Sequence, residues 1–152
     1  FQAAGAGGMI GGQALDLEAE GRHLPLADLE QVHARKTGAL IAASCVIGGL
    51  AAGHAVRPGQ LDGLRAYGEA VGLAFQIADD VLDATGTSDQ LGKTAGRDAA
   101  LAKSTFVSLL GIAAARAEAQ RLAAQAVARL RDAGLVSPTL TELAHYVATR
   151  PN

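Results

Sequence analysis

Asp79, Asp80 and Asp83 stand in the run Val71-Gly-Leu-Ala-Phe-Gln-Ile-Ala-Asp-Asp-Val-Leu-Asp83, where residue type and spacing point most directly to chemistry. At 3.6 residues per helical turn, Asp79 and Asp83 fall one turn apart on nearly the same face, with Asp80 beside them and Gln76 one turn before Asp80. Three carboxylates and an amide are therefore expected on one patch. The flanking Val71, Leu73, Phe75, Ile77, Val81 and Leu82 are apolar, so protein should surround most of this helix. Carboxylates crowded in such surroundings repel one another and lose hydration unless they are protonated or neutralised by cations. Oxygen ligands without His or Cys suit a hard ion such as Mg²⁺, which keeps several waters and takes one or two carboxylates plus substrate phosphates. A solvated acidic face is the plain competing reading. It is weakened because nothing basic lies between Arg65 and Lys93.

Cations for a polyphosphate are sparse. The three lysines, set against ten arginines, fall at Lys36-Thr37, at Gly92-Lys93 and at Lys103 before Ser104-Thr105-Phe106. Each alone reads as readily as a surface charge. Gly86 to Thr94 resembles a phosphate-binding loop, but five residues separate Gly86 from Gly92 and a helix precedes it, so that reading fails. His23, His33, His54 and His145 lack metal-ligand spacing and are expected mostly near loops or polar positions.

The elements that position these groups are expected to be helices. Ala and Leu supply 34 and 20 of the 152 residues, aromatics only 3%, and an all-β fold is excluded on that composition. One domain or part of one fits the length. Pro25, Pro58 and Pro138 mark helix starts, the last reinforced by Ser137 as N-cap. The pattern predicts helices over 3–20, 26–52, 59–85, 104–112, 114–132 and 138–149. Gly7, Gly8, Gly11 and Gly12 in the first are expected to let a neighbouring helix approach closely. The charge-free run from Thr37 to Gly53 is too short to span a bilayer and reads as a core helix burying Cys45. A lone thiol fits a reducing, cytoplasmic compartment. Net charge is −2 with acidic and basic residues interspersed, which excludes nucleic-acid binding through a basic field.

Taken together, these residues resemble the trans-isoprenyl diphosphate synthases, the family of farnesyl and geranylgeranyl diphosphate synthases. Phe75-Gln76-x-x-Asp79-Asp80-x-x-Asp83, preceded by Val71-Gly72, is similar to its second aspartate-rich motif. Gly11-Gly12-Gln13 with Asp16-Leu17, Lys36-Thr37, Gly92-Lys93 with Asp98, and Lys103-Ser104-Thr105-Phe106 follow in the family's order. The resemblance implies an all-α isoprenoid synthase fold with helices around a cavity, Mg²⁺ as cofactor, and allylic and isopentenyl diphosphates as substrates. It further implies a homodimer.

Carried over by position, Asp79 becomes the principal Mg²⁺ ligand, with Asp80 and Asp83 in support. Lys36, Lys93 and Lys103 would hold the allylic diphosphate, and Thr37 and Gln76 would face the reacting centre. Phe75 would line the pocket near the isopentenyl group, Gln13 and Asp16 would extend its polar wall, and Asp98 would orient Lys93 or metal-bound water. Arg150 is the expected reach toward the second diphosphate. No other D-D-x-x-D precedes Asp79, so residues 1–152 are expected to be the C-terminal part of one domain, truncated at Phe1 and inactive alone. A related all-α terpene cyclase and a noncatalytic helical subunit of a synthase are the alternatives. The former is disfavoured because its second metal motif usually reads N-D-x-x-S-x-x-x-E, the latter because the metal and phosphate residues are intact.

Overall fold

The computed structural model describes residues 1–53, 56–86 and 103–151, and every regular element among them is helical. They are α1 (Met9–Glu18), α2 (Leu26–His33), a π-helical segment (Ala34–Gly38), α3 (Ala39–Ala51), α4 (Pro58–Thr85), α5 (Phe106–Leu110), α6 (Ile112–Asp132) and α7 (Pro138–Thr149). No helix among the described residues is long and apolar enough to cross a membrane.

The long helix α4 is the central post. Pro58 opens it, and the Arg57 N–H donates to Gln60 Oε1 at 2.9 Å. Its buried stripe, Leu64, Tyr67, Val71, Ala74, Ile77 and Val81, recurs every three or four residues, as a core-facing helix requires. Against it α6 sets Ala115, Ala119, Ala123 and Ala126, all at most 1% exposed, so small side chains let the two helices pack closely. The Tyr67 hydroxyl donates to the Leu140 carbonyl at 2.7 Å, pinning α7 to the post; burial pushes the phenol up to about 12. Ser137 caps α7 as expected, accepting the Leu140 N–H at 3.3 Å.

On the other side, glycines set the spacing. A Cβ at Gly72 would lie 2.6 Å from Gly38 Cα, one at Gly68 2.5 Å from Ala42 Cα, and one at Gly12 2.6 Å from Lys36 Cα. The backbones of α1, the π-helical segment, α3 and α4 thus touch at positions where no side chain fits.

Several elements differ from expectation. Helix α1 begins at Met9 rather than at residue 3, because the preceding turn is wide, with Met9 N bonded to Ala3 O at 2.9 Å. Gly8 and Gly11 serve that turn, where a Cβ would strike Ala3 and Ala6, and Gly7 faces open space; only Gly12 makes the predicted close approach to another element. The expected helix over 26–52 contains the π-helical interruption. Its charge-free half is no core helix: Ile47 is 64% and Leu50 58% exposed, and Cys45 is only half-buried, with its thiol pushed up by burial. A run apolar on every side carries no mark of which face is covered. Finally, Gly111 separates α5 from α6 at φ 81°, a left-handed conformation that glycine adopts without strain.

Gly72→Ala is expected to destabilise the protein by about 1–3 kcal/mol through overpacking against Gly38. Gly48→Ala, which meets nothing within 4 Å on α3, should instead stabilise by roughly 0.5–1 kcal/mol through helix propensity alone. Urea denaturation of the two variants checks the contrast, and equal effects would refute the glycine seam.

Candidate functional site

The seam at Gly12 brings α1 onto the π-helical segment, and one turn later Asp16 meets Lys36. Lys36 Nζ lies 2.8 Å from Asp16 Oδ2, and Lys103 Nζ reaches the same oxygen at 3.0 Å. Glu20, in the turn that follows α1, adds a second carboxylate to Lys103 at 3.2 Å. Two lysines separated by 67 residues are therefore gathered by one carboxylate whose side chain is 14% exposed. Burial pushes the Asp16 carboxyl upward, but hydrogen bonds from Lys36 and Lys103, with their charges, outweigh it and hold the group below its usual value of 3.8. For Lys103 burial acts downward, and the bonds to Asp16 and Glu20 reverse it, so the ammonium is retained. Thr37 follows Lys36 in the π-helical segment, half-buried; such segments often mark functional sites.

Lys103 is positioned by its own neighbours. Ser104 Oγ accepts the Leu24 N–H at 2.8 Å and donates to the Arg22 carbonyl at 3.3 Å. Thr105 caps α5 by accepting the Ser108 N–H at 3.0 Å. The Phe106 N–H donates to Asp80 Oδ2 at 2.7 Å, tying the segment to α4. Phe106 is fully buried and stacks on His33, centroids 5.9 Å apart. His33 is thus the exception to the expectation that the histidines mostly sit near loops or polar positions. It is 7% exposed at the end of α2, neither ring nitrogen has a hydrogen-bond partner among the described residues, and burial lowers it to about 4, so the ring is neutral.

On α4 the aspartates diverge. Successive helical residues point about 100° apart, so Asp80 turns inward to the Phe106 N–H while the Asp79 side chain remains 41% exposed; Asp83, one turn on from Asp79, is buried at 6%. No group of three His, Cys, Asp or Glu side chains that could hold a metal ion occurs among the described residues. Asp79 instead pairs with Arg150 from the end of α7. Phe75 lies one turn before Asp79, under the same guanidinium; Gln76 beside it is half-buried. Gln13 is exposed on α1, and Lys93 and Asp98 lie outside the described residues. The donors at hand are hard carboxylate oxygens, and a cationic side chain already occupies the most accessible of them. That chemistry fits a divalent cation which takes one or two protein oxygens and completes its shell with water and phosphate.

Sequence reasoning missed three parts: the stacking of His33, the docking of Ser104, and the bond between Asp80 and Phe106. Each depends on residues far apart in the chain, and only the cap at Thr105-x-x-Ser108 left a local signal.

A family model described as Polyprenyl synthetase matches residues 3–141. The farnesyl diphosphate synthase of Escherichia coli strain K12 is 47% identical over 151 residues, covering 97% of this chain and 50% of that protein. A geranyltransferase from Helicobacter pylori, solved with magnesium and isoprenyl diphosphate, matches with a TM-score of 0.79 at 36% identity, over 97% of this chain and 48% of its own. A polyprenyl synthase from Caulobacter crescentus CB15, solved with calcium and isoprenyl diphosphate, gives 0.86 at 27% identity, over 95% and 56%. The chain spans about half the length of the relatives it matches.

Asp16→Asn removes the charge that holds two ammonium groups together and should cost about 1–2 kcal/mol at neutral pH. The native Asp16 pKa lies below its unfolded value, so the stabilisation is fully present above 3.8 and fades as pH falls through the native value. Denaturation of wild type and variant between pH 3 and 7 should therefore show a gap that closes at the acid end; a gap independent of pH would refute the assignment.

Proposed function

Because this chain belongs to the polyprenyl synthetase family of trans-isoprenyl diphosphate synthases, we propose that it forms the C-terminal half of a synthase domain condensing an allylic diphosphate with isopentenyl diphosphate. The observation that carries this reading is the convergence of Lys36 and Lys103 on Asp16. Two ammonium groups held together before any ligand arrives form a preorganised partner for a diphosphate, which carries several negative charges.

In this reading the allylic carbon–oxygen bond breaks and the electron pair leaves with the diphosphate. Lys36 and Lys103, with Lys93, take the growing charge by hydrogen bonding to its oxygens. The Thr37 hydroxyl and the Gln76 side-chain carbonyl turn their dipoles toward the allylic cation, and Phe75 supplies an apolar wall that excludes water from it. The isopentenyl double bond then attacks the cationic carbon, and loss of a proton restores neutrality. Asp79, supported by Asp80 and Asp83, would hold Mg²⁺, which when bound supplies further neutralisation of the departing diphosphate. The Helicobacter pylori relative, solved with magnesium and isoprenyl diphosphate, supports magnesium as the ion. A homodimer goes with the same reading; the exposed Ile10 and Leu17 on α1 supply apolar surface for it.

The protein at the full length of its relatives, given both diphosphates and Mg²⁺, should form prenyl product, whereas residues 1–152 alone should not. Lys36→Ala and Asp79→Ala should each lower kcat by roughly 10²-fold or more, in line with removal of one charge-stabilising group. Absence of condensation by the full-length protein, or a rate indifferent to Asp79→Ala, would favour a noncatalytic subunit.

A further inference from the structure

Arg150, which the family resemblance expects to reach toward the second diphosphate, meets two residues of α4. Its guanidinium pairs with Asp79, and its Cζ stands 4.1 Å from the centroid of the Phe75 ring. Phe75 and Asp79 are one turn apart on α4, so one side chain closes over both through charge and through the ring face. The Arg150 side chain is only 17% exposed. Its backbone N–H donates to the Tyr146 carbonyl at 2.7 Å, so a helix end rather than a loose tail presents the guanidinium. Beside it runs a cleft of about 400 Å³ between α4, α6 and α7, which Arg150 itself lines together with Leu82, Thr85, Arg116, Gln120 and Thr149.

We propose that Arg150 is a resident counter-cation of Asp79, a positioning residue that competes with the divalent cation for this carboxylate and leaves it when the cation binds. The inference rests on the reading of Asp79 as a metal ligand. A guanidinium and a divalent ion repel each other across one carboxylate, so each weakens the other's hold. The pair holds the Asp79 carboxylate in place over Phe75. Because the coupling is reciprocal, it also sets how tightly metal binds before any diphosphate arrives.

The test uses the full-length protein and Mn²⁺ alone, titrated by electron paramagnetic resonance without diphosphate. Arg150→Gln should bind Mn²⁺ about three- to tenfold tighter, the range expected for removal of one partly buried ion pair. Arg150→Lys, which keeps the charge, should stay near wild type. Asp79→Asn should lose this site, and adding Arg150→Gln to it should then restore nothing. Where Arg150→Gln disturbs folding, Phe75→Leu removes the ring contact alone and should tighten Mn²⁺ by roughly twofold. Unchanged or weaker binding in Arg150→Gln, or in Phe75→Leu where that variant carries the test, overturns the competition while leaving the metal reading standing, provided Asp79→Asn still loses the site. If Asp79→Asn binds Mn²⁺ like wild type, the metal reading falls and the competition falls with it.

Discussion

The arrangement depends on backbones meeting without side chains between them. Gly72 against Gly38, Gly68 against Ala42 and Gly12 against Lys36 form one seam along which the π-helical segment and α3 lie down on α4 and α1 on the π-helical segment. Each glycine gives up about 1 kcal/mol of helix propensity relative to alanine. What is gained is distance: with larger residues at these points α1 would stand off, and Asp16 would no longer meet Lys36. The alanines of α6 perform the same service on the opposite face of α4, where close packing rather than large side chains supplies the contact. A chain so poor in aromatics builds its core by approach, not by bulk.

Within that frame, charge is handled by sharing. A single oxygen of Asp16 serves two ammonium groups, Glu20 relieves one of them, and Arg150 answers Asp79. Lys36, Lys103 and Arg150 are each only partly exposed, a setting in which a lone charge would lose hydration without return. His33 completes the set by remaining neutral, adding an aromatic face under Phe106 without adding charge to a region already crowded with it.

Much of this was legible in the residues themselves. Helices α4 and α7 start where their prolines and the cap at Ser137 place them. The pairs Lys36-Thr37 and Lys103-Ser104 stood out because lysine is rare in this chain, and the family resemblance rested on their order with the aspartates. What stayed hidden had physical reasons. A π-helical turn uses the same residue types as an α-helical one and differs only in hydrogen-bond register. The exposed face of α3 could not be told from its covered face because both are apolar. The inward turn of Asp80 depends on Phe106, 26 residues away, and no local pattern announces such a partner.

The bond between Lys103 and Asp16 spans 87 residues, and that between Arg150 and Asp79 spans 71. Helical turns close within microseconds, whereas contacts of this separation must first overcome the entropy of long loops. Secondary structure and binding competence are therefore separated in time. On a growing chain α1 and the π-helical segment are complete long before Lys103 is made, and α4 before Arg150. Asp16 spends that interval with one lysine, and Asp79 with none of its final neighbours from α7.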